Sequence, residues 1–139
     1  MPGEHAVAGF RDLCEEAGER GLMLTYEGDL PAQEVLELME AVDSPNFGCY
    51  FDLANPLIEG RDPVMELRCL AGWIRSVHIK DFKEKMGDCR PGQGCVPLVE
   101  CARVLREMDY AGWLILETPP AESEVVAGDV ALARELFGG

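Results

Sequence analysis

Four short apolar runs in this chain each end on a side chain that can bind a metal ion or move a proton. Leu22–Met23–Leu24–Thr25–Tyr26 leads to Glu27, and Phe47–Gly48–Cys49–Tyr50–Phe51 leads to Asp52. Ile74–Arg75–Ser76–Val77 leads to His78 within a run that continues through Ile79, Lys80 and Asp81, and Trp113–Leu114–Ile115–Leu116 leads to Glu117. Each run has strand length and strand composition. Between and around them, apolar residues recur at helical spacing. Val7, Phe10, Leu13, Cys14 and Ala17 predict a helix over 5–20, and Val35, Leu36, Leu38, Met39 and Val42 one over 32–42. Val64, Leu67, Cys69 and Leu70 predict a third helix over 63–72. Leu98, Val99, Ala102 and Leu105 predict a fourth over 97–108, and a last short helix is expected at 128–137.

A helix followed by four strand–helix units leaves few folds open. Consecutive strands joined by helical crossovers pair in parallel, because a hairpin turn cannot return the chain in the same direction. Near-continuous apolar strands predict a parallel sheet covered on both faces. No linker or low-complexity tract interrupts the pattern, so the expectation is one α/β domain over 1–139. Residues 82–95 form the one long polar, glycine-rich connection, and a loop of that length in a compact pattern is usually functional or mobile.

Parallel α/β sheets bind ligands at the carboxyl ends of their strands. Glu27, Asp52, His78 and Glu117 should therefore project to one common end. Three carboxylates and one imidazole suit a hard to borderline divalent ion, Mn²⁺ or Mg²⁺ first, with Co²⁺ or Zn²⁺ as further options. The bland alternative for each acid taken singly is a helix cap or a solvated loop residue. Four ligand-type residues at four successive strand ends are harder to reach by accident.

Charge and cysteine usage narrow the partners. The net charge of −14 argues against nucleic acid and anionic membrane surfaces, both of which demand basic patches. No pair among the six cysteines has CxxC spacing, and Cys49, Cys69 and Cys101 fall in apolar patterns. Reduced, structural thiols are expected rather than a disulfide or zinc framework. No signal-peptide h-region and no apolar run of membrane-spanning length is evident, so a cytoplasmic location is expected.

The run of motifs resembles the C-terminal part of the xylose-isomerase-like TIM-barrel family, which includes sugar-phosphate isomerases and epimerases. The pieces that carry the resemblance are Thr25–Tyr26–Glu27, Tyr50–Phe51–Asp52–Leu53–Ala54–Asn55, Val77–His78–Ile79–Lys80–Asp81, Gly92–Gln93–Gly94, and Tyr110–Ala111–Gly112–Trp113–Leu114–Ile115–Leu116–Glu117. They follow the family order. The resemblance implies that these four strands match the barrel's fifth to eighth, a partial TIM barrel. It further implies that Glu27, Asp52, His78 and Glu117 hold one divalent metal. Glu27 and Glu117 would also exchange a proton on opposite faces of the carbon next to a sugar carbonyl, through a metal-stabilised enediolate. Asn55, Lys80 and Asp81 are the candidate substrate-binding residues, although Asp81 is equally a candidate turn or cap residue.

The chain departs from the family in three ways. Asn55 stands where many members have histidine, so that position keeps hydrogen-bonding capacity without a titrating ring. Gln93 replaces the glutamate of the usual Gly–Glu–Gly, removing a negative charge. Lys80, Lys83, Lys85 and Arg90 concentrate four of the chain's twelve basic side chains near the third strand end, which would suit a phosphate or carboxylate on the substrate or form a solvated loop. The third departure is length: a full barrel needs about 250 residues. A half-barrel leaves two strand edges and one sheet face open. The chain is therefore expected to be a fragment whose N-terminal half-barrel lies elsewhere, or to pair as a homo-oligomer.

These readings converge on a divalent-metal-dependent sugar or sugar-phosphate isomerase or epimerase, active in a full-length context on a small-molecule sugar. The rival enzyme is a dehydratase of the same fold, inosose-dehydratase-like, in which the enediolate expels a hydroxyl. The rival outside catalysis is a truncated half-barrel that binds metal or a partner without turnover. A nuclease of the same superfold fits poorly, since such sites are richer in histidine and this chain has only His5 and His78.

Overall fold

The computed structural model describes residues 3–138. Its elements follow the order α1 (Glu4–Glu19), β1 (Leu24–Tyr26), α2 (Ala32–Val42), β2 (Phe47–Asp52), α3 (Asn55–Ile58), α4 (Pro63–Cys69), β3 (Ile74–Ile79), α5 (Leu98–Glu107), β4 (Trp113–Leu116) and α6 (Ser123–Phe137). The four strands form one sheet in the order β1-β2-β3-β4, and every pairing is parallel. This is the α/β arrangement of a partial TIM barrel. No helix among the described residues is long and apolar enough to cross a membrane.

Local chemistry sets the boundaries. Asp62 caps α4 by accepting hydrogen bonds from the Val64 and Met65 amides at 2.8 and 3.3 Å, with Pro63 in the first turn where a missing N–H costs nothing. Asp43, at φ 49°, ends α2 in the left-handed conformation, and its amide returns to the Met39 carbonyl. Strand β1 is shorter than its apolar run because pairing starts only at Leu24, opposite Phe47, which leaves Leu22 and Met23 exposed. Helix α6 is longer than the expected 128–137. Its first two turns carry exposed Val125 and Val126 and give no buried stripe to read from the sequence.

The helices pack in succession over one side of the sheet. Strand alternation turns Phe47, Cys49, Phe51, Val77 and Ile79 toward them, and all five are buried. Leu38, Met39, Leu67, Leu70, Cys101 and Leu105 complete this core from the helices. The opposite face holds Tyr50, Ser76, His78, Trp113 and Ile115 and is only partly covered; Trp113 is 76% exposed. The expectation of a sheet buried on both faces is thus corrected. The described residues supply four strands in one sheet, so among them no strand faces the side that would line a barrel interior. Cys69 is also exposed rather than buried, since it lies two residues past Leu67 and off the buried stripe of α4.

Candidate metal centre

The parallel register brings the four strand ends level. Asp52 is paired with His78 across β2 and β3, and the Glu117 amide donates to the Ile79 carbonyl at 3.1 Å, which fixes the end of β4 beside β3. Arg61 holds the loop that follows Glu27: its guanidinium donates to the Asp29 carbonyl at 3.0 Å and pairs with Glu66 at 2.7 Å. One ligand atom from each of Glu27, Asp52, His78 and Glu117 lies within 4.8 Å of all the others.

His78 stands at the middle of the group through Nδ1. That atom is 2.9 Å from Glu27 Oε1, 3.4 Å from Glu117 Oε2 and 3.7 Å from Asp52 Oδ2. Because the side-chain atoms ranged around it are carboxylate oxygens, Nδ1 is assigned the ring proton. The Tyr50 ring packs on the imidazole with centroids 4.1 Å apart and restricts its rotation. Burial, and then the charges of Glu27, Glu117 and Asp52, push the Tyr50 hydroxyl above its usual pKa.

Asp52 divides its two oxygens between structure and site. Oδ1 accepts from the Ala54 and Asn55 amides at 2.7 and 3.1 Å. Oδ2 is buried and lacks a directed hydrogen bond. Lys80 Nζ lies 2.9 Å from it, an ion pair by distance but off the hydrogen-bonding direction, and 2.7 Å from Glu117 Oε2. Burial pulls the Lys80 pKa down, but the close approach and negative charge of Glu117 and Asp52 outweigh it and the net shift is upward. A buried carboxylate oxygen without a directed donor, aimed at two further carboxylates and an imidazole nitrogen, is the donor set a divalent cation takes. The residues fit such an ion.

The remaining site candidates divide by location. Asn55 lines a crevice beside Asp52 together with Tyr26, Tyr50 and Arg61. Asp81 is buried, and its contacts run to the loop rather than to the cluster. Oδ1 accepts from the Phe82 and Val96 amides, and Oδ2 from those of Gly92 and Gly94, all at 2.9–3.0 Å. This accounts for the Gly–x–Gly of the sequence. Gly92 has φ +80°, and a Cβ at Gly94 would stand 2.2 Å from Asp81 Oδ1.

Of the four clustered cations, only Lys80 reaches the site. Arg90 is engaged by Asp129 of α6, the Pro119 carbonyl and Thr118 Oγ1, so it ties the loop to the chain just beyond Glu117. Lys83 and Lys85 are exposed, and their amides, with that of Glu84, donate to the Asp88 carboxylate at the loop tip. Sequence reasoning missed the Arg90–Asp129 pair and the packing of Tyr50 on His78. Their partners lie far apart in the chain and carry no local signal.

Comparisons with known proteins agree with this architecture. The family model for the xylose isomerase-like TIM barrel matches residues 4–135. A curated protein of Geobacillus kaustophilus named inosose dehydratase is 31% identical over 125 residues, which cover 76% of this chain and 41% of that protein. The crystal structure of a xylose isomerase domain protein from Planctomyces limnophilus superposes with a TM-score of 0.78 at 29% identity, over 98% of this chain and 55% of that one. A D-psicose 3-epimerase solved in the presence of D-fructose matches in fold, with a TM-score of 0.80 at 19% identity over 100% of this chain and 60% of that one. The chain thus spans about half the length of the proteins it matches. It belongs to the xylose-isomerase-like TIM-barrel family.

Proposed function

We propose that this chain supplies the metal-binding half of a divalent-metal-dependent sugar or sugar-phosphate isomerase or epimerase. The observation that carries the reading is the convergence of four ligand atoms, one from each strand end, within 4.8 Å. Glu27, Asp52, His78 and Glu117 would hold one ion, Mn²⁺ or Mg²⁺ by the preference of a carboxylate-rich set for hard cations. When bound, such an ion supplies Lewis acidity at the carbonyl oxygen where negative charge develops.

The chain's own residues supply the proton transfers. Glu27 and Glu117 directly follow the two edge strands and are the cluster's most solvent-accessible members. One takes the proton from the carbon beside the carbonyl and the other returns it. Asp52 and His78, on the central strands, are held by backbone amides and by Tyr50 and stay fixed. Asn55 offers its amide to a substrate hydroxyl from the crevice beside Asp52, and Lys80 offers an ammonium. Asp81 contributes indirectly, by holding the loop of Gly92 and Gly94 in place.

The test is Glu27→Gln and Glu117→Gln in a chain that carries both barrel halves. Each is expected to lose turnover on ketose or ketose-phosphate substrates while folding normally by circular dichroism. Full activity in both variants overturns the assignment. A dehydratase reading is supported by the identity to proteins named inosose dehydratase. Product mass separates the two, since dehydration loses water and epimerisation conserves mass.

A further inference from the structure

Lys80 shares its contacts with the candidate metal. Its Nζ touches Asp52 Oδ2 and Glu117 Oε2, the same two oxygens that face His78 Nδ1. An ammonium and a divalent ion cannot both sit against two shared carboxylate oxygens without strong repulsion. The contact with Asp52 lacks hydrogen-bond direction, so that oxygen is not fully committed to Lys80. There is also somewhere for the ammonium to go. Lys80 lines a recess of about 280 Å³ walled by Met86 and Gly87 of the 82–95 loop and by Glu117, Thr118 and Pro119 beyond β4.

We propose that Lys80 is a metal-gated cation. While the cluster holds no divalent ion, Lys80 neutralises Asp52 and Glu117 and keeps the carboxylates from repelling one another apart. When an ion binds, Lys80 is displaced into the recess, where its charge is available to an anionic group of the substrate. Ion loading and substrate recognition are then coupled through one side chain. The inference rests on the metal reading above.

Competitive acetylation with peptide mass spectrometry tests the gate on the intact chain, with and without Mn²⁺, using exposed Lys83 and Lys85 as internal references. Lys80 is expected to label more slowly than both references without metal, and about fivefold faster once Mn²⁺ is bound, as its ion pairs are released. Equilibrium dialysis of Lys80→Met should show Mn²⁺ binding about tenfold tighter than in the parent, because a competing positive charge is gone. The labelling arm needs no variant, so a misfolded substitution would not decide the matter. If Mn²⁺ binds but Lys80 labelling is unchanged, or Lys80→Met binds Mn²⁺ more weakly, the gate is wrong while the metal site stands. If the parent chain binds no Mn²⁺, the metal reading fails and the gate with it.

Discussion

Phe47 and Trp113 both open a strand with a large aromatic ring, yet Phe47 is fully buried and Trp113 is 76% exposed. Strand β2 has neighbours on both edges and helices over its outer face, whereas β4 has one neighbour and turns Trp113 to the open side of the sheet. The same division runs through the candidate site. Asp52 and His78, from the central strands, have side chains 2% and 14% exposed, while Glu27 and Glu117, from the edges, are 41% and 48% exposed. The central pair is built into the fold, whereas the edge pair is open to solvent. In a closed barrel the edges would also gain strand partners, so the open half shows which part of the site stands on its own.

That contrast can be broken most directly by truncating the two rings. Phe47→Ala is expected to cost about 3–5 kcal/mol by cavity formation. Trp113→Ala should change stability by less than about 0.5 kcal/mol, as a surface substitution does. Urea denaturation of both variants measures the difference, and equal losses would mean that β4 is covered in solution. The carboxylates provide the next test. Asp52→Ala leaves the Ala54 and Asn55 amides without their acceptor and should cost about 1–3 kcal/mol. Glu117→Ala should stay within about 0.5 kcal/mol.

Thiol labelling sharpens the comparison without any substitution. Burial pushes the Cys49 and Cys101 thiols up to about 12, so almost no thiolate forms there at neutral pH. Iodoacetamide should modify exposed Cys69 and Cys95 first and reach Cys14, Cys49, Cys89 and Cys101 only on unfolding. Rapid labelling of Cys49 would show that the central strands open easily.

The smallest effect belongs to the loop. Backbone hydrogen bonds from Glu84, Lys83 and Lys85 lower the Asp88 pKa from its usual 3.8 to about 2. The folded loop therefore binds its proton less readily than the unfolded chain does. Its contribution to loop order is complete above the unfolded value of 3.8 and is lost as pH falls through about 2. Amide signals of Lys83 to Lys85 should lose protection in that window, before the core strands do. Loss at higher pH would place the cause elsewhere.

The sequence by itself determined the order of the four strands and the main helices, though not the short α3, and the end of the sheet at which the candidate site lies. Short apolar runs at Phe47–Asp52 and Ile74–Ile79 and helical stripes such as Val35–Leu38–Met39–Val42 are local signals, because each follows from the geometry of a few successive residues. The four side chains of the candidate site were legible for the same reason, one ending each run. Only the tertiary structure decided what surrounds them. That Lys80 bridges Asp52 and Glu117, that Tyr50 steadies His78, that Asp81 serves the loop and that Arg90 is taken by Asp129 all depend on side chains brought together by sheet curvature and helix packing. Burial was equally out of reach. Trp113 and Phe47 read alike along the chain, and the face of the folded sheet on which each ring lies, with the number of neighbouring strands, sets them apart.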